Sequence, residues 1–307
     1  MKRKGLLLSF AVIGIFSLVI FSCKKEETPA PTVDFSFSVD GYQVAFTLLA
    51  TNADTYLWDF GDGGTSSDEN PVHVYEQSGT YTVKVTVTGA GGTADATKDV
   101  EIAASKLEML TGGPAAKNGK SWQFSSTASE GDAVLHADAD FTVDQPIPSG
   151  MLGLIGLPAS EYEDEFIFKN DGSYSHKVVN DSVITDAVYA ILNQIPFNAS
   201  PGEDGIGLSP WDPVANATFE FTEGADFTLE VTSDDSPDST WTVTWSDMDQ
   251  FEIKGGECFG ILDFTRKYMV FNIAADKMVV GMPISATDGS KANYPSHIVR
   301  MTFVPKQ

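Results

Sequence analysis

The chain has 307 residues, of which 43 are acidic and 19 are basic, so its formal net charge at pH 7 is −24. A surface this acidic repels phosphate backbones, and nucleic-acid binding depends on Lys and Arg side chains that neutralise phosphates. The composition therefore argues against nucleic acid as a partner and fits an extracellular protein or one that binds a neutral polymer.

The N-terminus has the three-part organisation of an export signal. The basic residues Lys2–Lys4 precede an apolar run from Leu6 to Phe21, which ends at Ser22-Cys23. The run is shorter than the roughly 20 residues that a membrane-spanning helix needs, and charged residues follow the cysteine at once. The pattern predicts a cleaved signal peptide over residues 1–22 rather than a stop-transfer helix.

The end of this signal resembles a bacterial lipobox, in the sequence Ile20-Phe21-Ser22-Cys23. The following Glu26 and Glu27 resemble the surface-export signals of Bacteroidetes lipoproteins. The resemblance implies acylation of Cys23 and an outer-membrane lipoprotein at the cell surface, because several acyl chains on one residue give stable attachment. Residues 23–32 are charged and contain proline, which predicts a tether between the lipid and the first domain.

The number of cysteines decides whether disulfides can stabilise the fold. With Cys23 acylated, Cys258 is the one remaining thiol, so no intrachain disulfide can form. We expect Cys258 to be a small buried hydrophobe rather than a nucleophile.

Short runs of alternating apolar and polar residues begin at residue 33 and continue to about 104. Such alternation predicts strands with one buried face. The alternating positions are Phe35, Phe37 and Val39; Val44, Phe46 and Leu48; and Tyr81, Val83, Val85 and Val87.

This block contains Trp58-Asp59-Phe60-Gly61-Asp62-Gly63, then Asn70-Pro71-Val72-His73-Val74-Tyr75, then Gly79-Thr80-Tyr81-Thr82-Val83. The three segments closely resemble the PKD family signature, W-D-F-G-D-G, N-P-x-H-x-Y and G-x-Y-x-V. The resemblance implies an immunoglobulin-like PKD β-sandwich over residues 33–104 that acts as a spacer or adhesion module. A sandwich needs a large core residue such as Trp58, and Gly61 and Gly63 suit a turn with positive φ. We expect the Asp side chains and His73 to fix loops rather than to bind metal.

Residues 105–307 predict a larger antiparallel β-sandwich or barrel-like domain with one short helix, so that the whole chain is all-β. Thr111–Pro114 should break any periodic structure at the junction. Turn residues at Asn170–Gly172, Glu223–Asp226 and Ser233–Pro237 separate predicted strands. Asn180–Ser182 is predicted to cap a helix over Val183–Leu192. The predicted strands are Ser121–Ser125, Glu165–Lys169, Ser173–Val178, Thr218–Phe221, Phe227–Val231, Thr240–Trp245, Phe251–Lys254, Tyr268–Ile273, Lys277–Val280 and His297–Val304.

Loop aromatics are the candidate ligand-binding residues, because binding residues collect on loops held by a rigid scaffold. Trp211 lies between Pro210 and Pro213, which should limit the freedom of the loop and keep the ring out of the core. The neighbouring Asp212 can accept hydrogen bonds from hydroxyl groups. Tyr162, Phe197 and Tyr294 also fall in or beside loops.

Strand aromatics are a second set of candidates. Trp241 and Trp245 alternate and share one face, as do Trp122 and Phe124. A shared aromatic face forms core or a platform on which sugars stack. Core is the favoured interpretation for all four, and Trp241 and Trp245 are kept as ligand-binding candidates after Trp211.

Two acidic stretches complete the candidates. The run Glu161–Glu165 could supply a carboxylate pair for glycoside hydrolysis, although a solvated strand entry is the favoured interpretation. Asp138, Asp140 and Asp144 offer the hard oxygen ligands that Ca²⁺ takes, and calcium is the single cofactor candidate. The usual enzyme motifs are absent from the sequence, so we predict a protein that is not an enzyme.

The order of signal, PKD module, Leu110–Gly113 and Gly119–Trp122 resembles Bacteroidetes surface glycan-binding proteins of polysaccharide utilisation systems, as does Asp164–Phe168 with Asn170–Tyr174. The resemblance implies non-catalytic binding of an extracellular polysaccharide beside outer-membrane transporter components. The alternatives are a structural or adhesion lipoprotein without a sugar site, and a glycoside hydrolase or lyase. Ser182 and Ser239 also lie in D-S-x patterns that resemble O-glycosylation sites.

Overall fold

The computed structural model of the protein describes residues 28–129, 131–149, 158–199, 206–233, 235–285 and 290–306. The export signal and Cys23 lie outside the described residues. The chain is mostly β-structure, 52% strand and 7% helix, which confirms the all-β prediction. Within the described ranges, no helix has both the length and the apolar character needed to cross a membrane.

The molecule divides into two compact units. The first contains the described part of Met1–Phe37 together with Ala45–Pro71 and Thr82–Lys98. The second contains Ser38–Val44, Val72–Tyr81 and Asp99–Gln307.

The N-terminal strands form two sheets, and the alternation read from the sequence explains which faces are buried. Val83, Val85 and Val87 are fully buried, while the residues between them are polar. One sheet has the order β1-β2-β5 and the other the order β4-β3-β6-β7. The strands are β1 (Thr32–Asp40), β2 (Gln43–Thr51), β3 (Thr55–Asp59), β4 (Thr65–Ser66), β5 (Val72–Val74), β6 (Gly79–Gly89) and β7 (Gly92–Ile102).

Trp58 is the centre of the core in the first unit. Its side chain is 0% exposed, and its ring lies 5.2 Å from that of Phe35 and 5.3 Å from that of Phe46. The indole Nε1 donates to the Asp68 carbonyl at 3.0 Å, so the ring is buried without leaving its N–H unsatisfied. The expected core role of Trp58 is confirmed.

The loop after β3 is held by its own aspartates. Asp59 accepts from the backbone N–H of Gly61 at 3.0 Å, and Asp62 accepts from that of Gly64 at 2.8 Å. Gly61 has a φ of 82°, and a Cβ there would lie 2.8 Å from the Thr82 carbonyl oxygen. Glycine is therefore required at this position, and the aspartates fix the loop as expected.

The second unit is built on a ten-stranded sheet whose main path is β12-β11-β8-β20-β19-β18-β17-β16, with β9 and β10 joined at β20. A smaller sheet has the order β13-β15-β14. The helices are α1 (Lys106–Thr111), α2 (Ala187–Leu192) and a 3₁₀ helix (Ala159–Glu163). The strands are β8 (Lys120–Phe124), β9 (Ala133–His136), β10 (Val143–Pro146), β11 (Glu165–Phe168), β12 (Tyr174–Lys177), β13 (Ser182–Asp186), β14 (Asn198–Ala199), β15 (Ile206–Pro210), β16 (Thr218–Val231), β17 (Trp241–Lys254), β18 (Lys267–Ile273), β19 (Met278–Ile284) and β20 (His297–Pro305).

The large sheet curls until its two end strands meet. Tyr174 N donates to the Ala217 carbonyl at 2.9 Å, and Phe219 N donates to the Gly172 carbonyl at 2.9 Å. These bonds join the start of β12 to the start of β16. The interior is filled by buried aromatic side chains, which include Trp122, Phe124, Phe166, Phe168, Phe219, Phe251, Phe259, Tyr268 and Phe303.

The turn predicted at Glu223–Asp226 is wrong, because β16 continues through it as a bulge. The register against β17 shifts between Thr222 and Phe227 and is regular on both sides. The pairs formed by Thr218–Thr222 and Phe227–Val231 keep the same register, because the step of five residues from Thr222 to Phe227 lies opposite the step of five from Gln250 to Trp245 and the two shifts cancel. The two strands predicted within β17 are likewise one strand.

The predicted helix over Val183–Leu192 is also wrong in its first half. Val183 pairs with Ser209 in strand β15, and the helix is α2, which begins at Ala187. The true cap is Asp186, which accepts from Tyr189 N at 3.1 Å. Residues 183–186 are buried on both faces. A strand that lies between other elements is buried in this way, whereas an amphipathic helix keeps one face in solvent. Helix α1, in the predicted junction, was not predicted from the sequence.

Candidate functional site

Trp211 follows β15 and is half-buried. Its ring packs against Val183, Cys258 and Leu262. The indole Nε1 donates to the Oε1 atom of Glu257 at 2.8 Å. We expected the flanking prolines to keep this ring out of the core, and this is wrong for the buried part of the ring. That part can be buried because the carboxylate of Glu257 accepts the hydrogen bond of the indole N–H.

The loop that carries Trp211 is fixed at both ends. Trp211 N donates to the Asp181 carbonyl at 3.0 Å, and Val214 N donates to the second oxygen of Glu257 at 2.7 Å. Asp212, between these anchors, is exposed. The loop thus presents a partly exposed ring and a free carboxylate from a backbone that is already ordered.

Behind this loop lies a cluster of buried titratable side chains around His176. The imidazole Nε2 is 3.4 Å from Asp164, and Nδ1 is 3.4 Å from Glu257. Cys258 Sγ is 4.0 Å from the same Nδ1. Glu257 also accepts from the backbone N–H of Cys258 at 2.9 Å. We call His176, Asp164, Glu257, Cys258 and Glu161 the buried polar cluster.

Charges within the cluster stabilise one another. Burial disfavours the charged form of His176, but hydrogen bonds with Asp164, Cys258 and Glu257 outweigh it and hold the pKa well above its ordinary value. Burial also acts to raise the pKa of Glu257, but His176 and two backbone N–H groups lower it overall. Burial, with the nearby charge of Asp164, raises the pKa of Glu161 to about 7.

The run Glu161–Glu165 is not the solvated strand entry that we expected. Glu161, Asp164 and Glu165 are 0%, 2% and 8% exposed. Burial acts to raise the pKa of Glu165, but Lys177, Lys306 and Ser121 bind this carboxylate and lower its pKa to about 2. The local sequence does not predict this burial, because the partners of these acids come from distant parts of the chain.

A second pair of buried acids lies where β13 runs beside the segment before β18. Thr185 and Leu262 form a parallel bridge, so the following Asp186 and the following Asp263 lie side by side, each 1% exposed. Burial raises the pKa of both, to about 8 for Asp186 and to about 6 for Asp263. Two neighbouring carboxyl groups without water cannot both ionise cheaply.

The other aromatic candidates lie in separate places. Tyr162 is half-buried against the main core, Phe197 lies over the backbone of Gly207, and Lys291 lies 5.7 Å from the centre of the half-buried Tyr294 ring. Trp245 is 5% exposed and stacks on Phe141 at 5.1 Å, so it is core, as are Trp122 and Phe124. Trp241 is 41% exposed, so the core interpretation is wrong for this ring, which lies at the first residue of β17.

The predicted calcium ligands do not converge. Asp138 accepts from Thr142 N at 2.9 Å, and Asp144 lies 3.8 Å from His136 on the surface. Within the described ranges, the one group of three or more ligand-type side chains whose donor atoms come within 4.8 Å is His176, Glu257 and Cys258. Asp138, Asp140 and Asp144 therefore do not form a cation site by themselves.

The second unit also has a groove whose lining does not include Trp211. Its volume is about 720 Å³, and its lining is Gln123, Ala275, Asp276, Val304, Pro305 and Lys306. Because this lining contains no aromatic ring, the groove offers no surface on which a sugar could stack.

Comparison with known proteins identifies the N-terminal part. The family model described as "PKD domain" matches residues 28–104, and this part of the chain is a PKD domain. The chain is 58% identical over 38 residues to collagenase ColA of Bacillus cereus, covering 12% of this chain and 4% of that protein. It is 34% identical over 93 residues to pre-pro-metalloprotease PrtV of Vibrio cholerae, covering 29% of this chain and 10% of that protein.

A solved structure of the PKD1 domain of Vibrio anguillarum Epp covers 26% of this chain and all of its own, at 32% identity and a TM-score of 0.25. A structure described as a carbohydrate-binding module of the β-sandwich superfamily covers 91% of this chain and 93% of its own, at 14% identity and a TM-score of 0.25. A likeness at that level assigns neither a fold nor a ligand to the second unit. The chain spans only a tenth or less of the two curated relatives, so their activities do not describe it.

Proposed function

We propose that this protein is a non-catalytic lipoprotein of the outer membrane that binds an extracellular polysaccharide at the cell surface. Cys23 carries the lipid, and the PKD domain sets the distance from the membrane. The second unit makes the sugar contact through Trp211, beside outer-membrane transporter components that take up the polymer.

The observation that carries this proposal is the ordering of the Trp211 loop by Glu257. A flat indole offers apolar surface to the C–H face of a sugar ring. Because hydrogen bonds to Glu257 and Asp181 already hold the loop, a sugar that stacks there loses little of its binding energy to ordering the protein. Exposed Asp212 can accept hydrogen bonds from the sugar hydroxyl groups. The high negative charge of the chain favours a neutral or weakly charged polymer.

The test is binding of soluble and insoluble β-glucans, together with a broad glycan array, to the chain from residue 24. Replacing Trp211 by Ala should weaken binding by about 30-fold or more, as for an aromatic side chain that dominates an interface. Trp241→Ala is the matched control, because Trp241 is an exposed tryptophan elsewhere in the same unit. The reverse result, a loss in Trp241→Ala alone, would move the site to the start of β17.

If the wild-type chain retains no glycan on the array, with and without Ca²⁺, the structural or adhesion lipoprotein is the correct alternative. The glycoside hydrolase or lyase alternative is favoured by one observation, the neighbouring Asp186 and Asp263 with raised pKa values. It predicts new reducing ends in incubated polysaccharide, and Asp186→Asn should abolish their release. Binding without product release supports the proposed function.

A further inference from the structure

Three buried side chains of different chemistry point their donor atoms at one another. His176 Nδ1, Glu257 Oε1 and Cys258 Sγ all lie within 4.8 Å of each other, and the side chains of His176 and Glu257 are 0% exposed. The nitrogen is 3.4 Å from the carboxylate oxygen and 4.0 Å from the sulfur.

These separations are close to those of a zinc site. Zn²⁺ holds nitrogen and oxygen ligands at about 2.0–2.2 Å and sulfur at about 2.3 Å, so tetrahedral geometry places N and O about 3.3 Å apart and N and S about 3.6 Å apart. A movement of a few tenths of an ångström brings the nitrogen–oxygen and nitrogen–sulfur distances to these values, and the oxygen and the sulfur lie within 4.8 Å of each other.

The surroundings support each donor as a ligand. Asp164 lies 3.4 Å from the far nitrogen of His176, in the place where a carboxylate commonly orients a histidine that binds metal. Glu257 is oriented by N–H groups of Trp211 and Cys258. An ion-pair contact with Asp164 thus lies behind the imidazole, hydrogen bonds hold Glu257, and the Nδ1 atom lies 4.0 Å from the sulfur.

Glu161 adds an independent observation, a buried carboxylate without a hydrogen-bond partner among the described residues. Its side chain is 0% exposed, and neither of its carboxylate oxygens has a hydrogen-bond partner among the described residues. It lies close enough to Asp164 and His176 for their charges to act on it. Three buried acids thus act on one imidazole, while the guanidinium of Arg266 acts on Cys258, and buried charges of this kind are paired or coordinate metals.

We propose that His176, Glu257 and Cys258 form a zinc-binding site in the second unit. A thiolate and an imidazole select zinc over calcium, which prefers oxygen donors alone. The ion takes the place of the proton between His176 and Glu257, and it binds Cys258 as the thiolate. Both protons leave to solvent, so binding releases acid. The site lies directly beneath the Trp211 loop, because Glu257 belongs to both.

The experiment uses the chain from residue 24, in which Cys258 is the sole thiol. Protein saturated with Zn²⁺ and then dialysed should retain about one zinc per chain by mass spectrometry, and Cys258→Ala should lower the zinc affinity by more than about tenfold. Substitution with Co²⁺ should give a thiolate-to-cobalt charge-transfer band that Cys258→Ala lacks. His136→Gln is the matched control, because His136 lies beside a surface Asp144, and it should retain both signals.

Cys258→Ala replaces a small buried side chain, and circular dichroism shows whether it folds. If it does not, Asp164→Asn takes its place: the thiolate band should remain with a zinc affinity about tenfold lower. The proposal is overturned if folded wild-type protein gives no thiolate band with Co²⁺, or if folded Cys258→Ala binds zinc as tightly as the wild type. These readouts are independent of any glycan, so the zinc site and the proposed function can fail separately.

Discussion

The indole of Trp211 and the carboxylate of Glu257, 46 residues apart in the chain, are joined by a hydrogen bond of 2.8 Å. The same carboxylate binds His176 and two backbone N–H groups. A candidate surface residue is therefore coupled to the interior through a single side chain.

Replacing Trp211 by Phe tests this coupling. The ring remains apolar, but Glu257 loses one of its donors, and leaving a buried carboxylate short of a hydrogen bond should lower the free energy of unfolding by about 1–3 kcal/mol. Urea unfolding followed by circular dichroism measures it. Trp241→Phe, at an exposed tryptophan, should change the value by less than about 0.5 kcal/mol. Equal values for the two variants would show that the Trp211–Glu257 bond contributes nothing.

Trp58→Ala should destabilise the PKD domain. The substitution empties the space between Phe35 and Phe46 in a domain without a disulfide, and truncations of this size cost about 3–5 kcal/mol. Hydrogen exchange of the β3 and β6 amides in the full chain reports the local loss. The neighbouring Leu57 is 58% exposed, and Leu57→Ala should leave those exchange rates nearly unchanged. Protection retained in Trp58→Ala would contradict the assignment of Trp58 to the core.

Asp186→Asn should alter the pH dependence of stability. Burial raises the pKa of Asp186 above its ordinary value, to about 8, so the folded state holds a proton that the unfolded chain releases. The stabilisation is complete below the ordinary pKa of the carboxyl group, and it is lost as the pH rises through the folded value. The wild-type melting temperature should therefore fall between about pH 4 and pH 8.

In Asp186→Asn this fall should be smaller, because an amide stays neutral at every pH and can still accept from Tyr189 N. Melting curves at half-unit pH intervals measure the effect, with the exposed Asp212→Asn as control. A wild-type melting temperature that rises between pH 5 and pH 8 would refute the prediction.

Cys23→Ala should release the protein from membranes or leave an unprocessed precursor. This expectation follows from the predicted export signal, in which basic residues precede an apolar run that ends at Ser22-Cys23. Labelling cells with radioactive palmitate and fractionating the membranes measures it. Cys258→Ala should keep the label, since Cys258 is buried in the fold. Lipid label on the Cys23→Ala protein would place the anchor elsewhere.

Features that depend on neighbouring residues could be predicted from the sequence. The hairpin between β11 and β12 follows from Asn170–Gly172, since Asp171 accepts from Ser173 N at 2.9 Å and Gly172 has a φ of 83°. The core position of Trp58 follows from alternation and from a specific motif. Both signals act within a few residues, and tertiary contacts did not override them.

The buried polar cluster could not be predicted, because its members meet only in the folded chain. His176 and Glu257 are 81 residues apart, and Glu165 and Lys306 are 141 residues apart. A run of acids such as Glu161–Glu165 is usually solvated, so its burial depends on partners that the local sequence does not contain. The same is true of residues 183–186, whose strand needs β15 as its neighbour.

Strand β20 lies in the middle of the curled sheet although it comes last among the strands that the structure describes. It pairs with β19 along one edge and with β8 and β9 along the other. Until residues 297–305 have been synthesised, β8 and β19 have no common neighbour, and the two parts of the sheet can meet through the hydrogen bonds between the starts of β12 and β16. The sheet of the second unit is therefore complete only once residues 297–305 have joined it, because β20 is the strand that links β8 and β9 to β19, and pairings between strands so distant in the chain are slow to form.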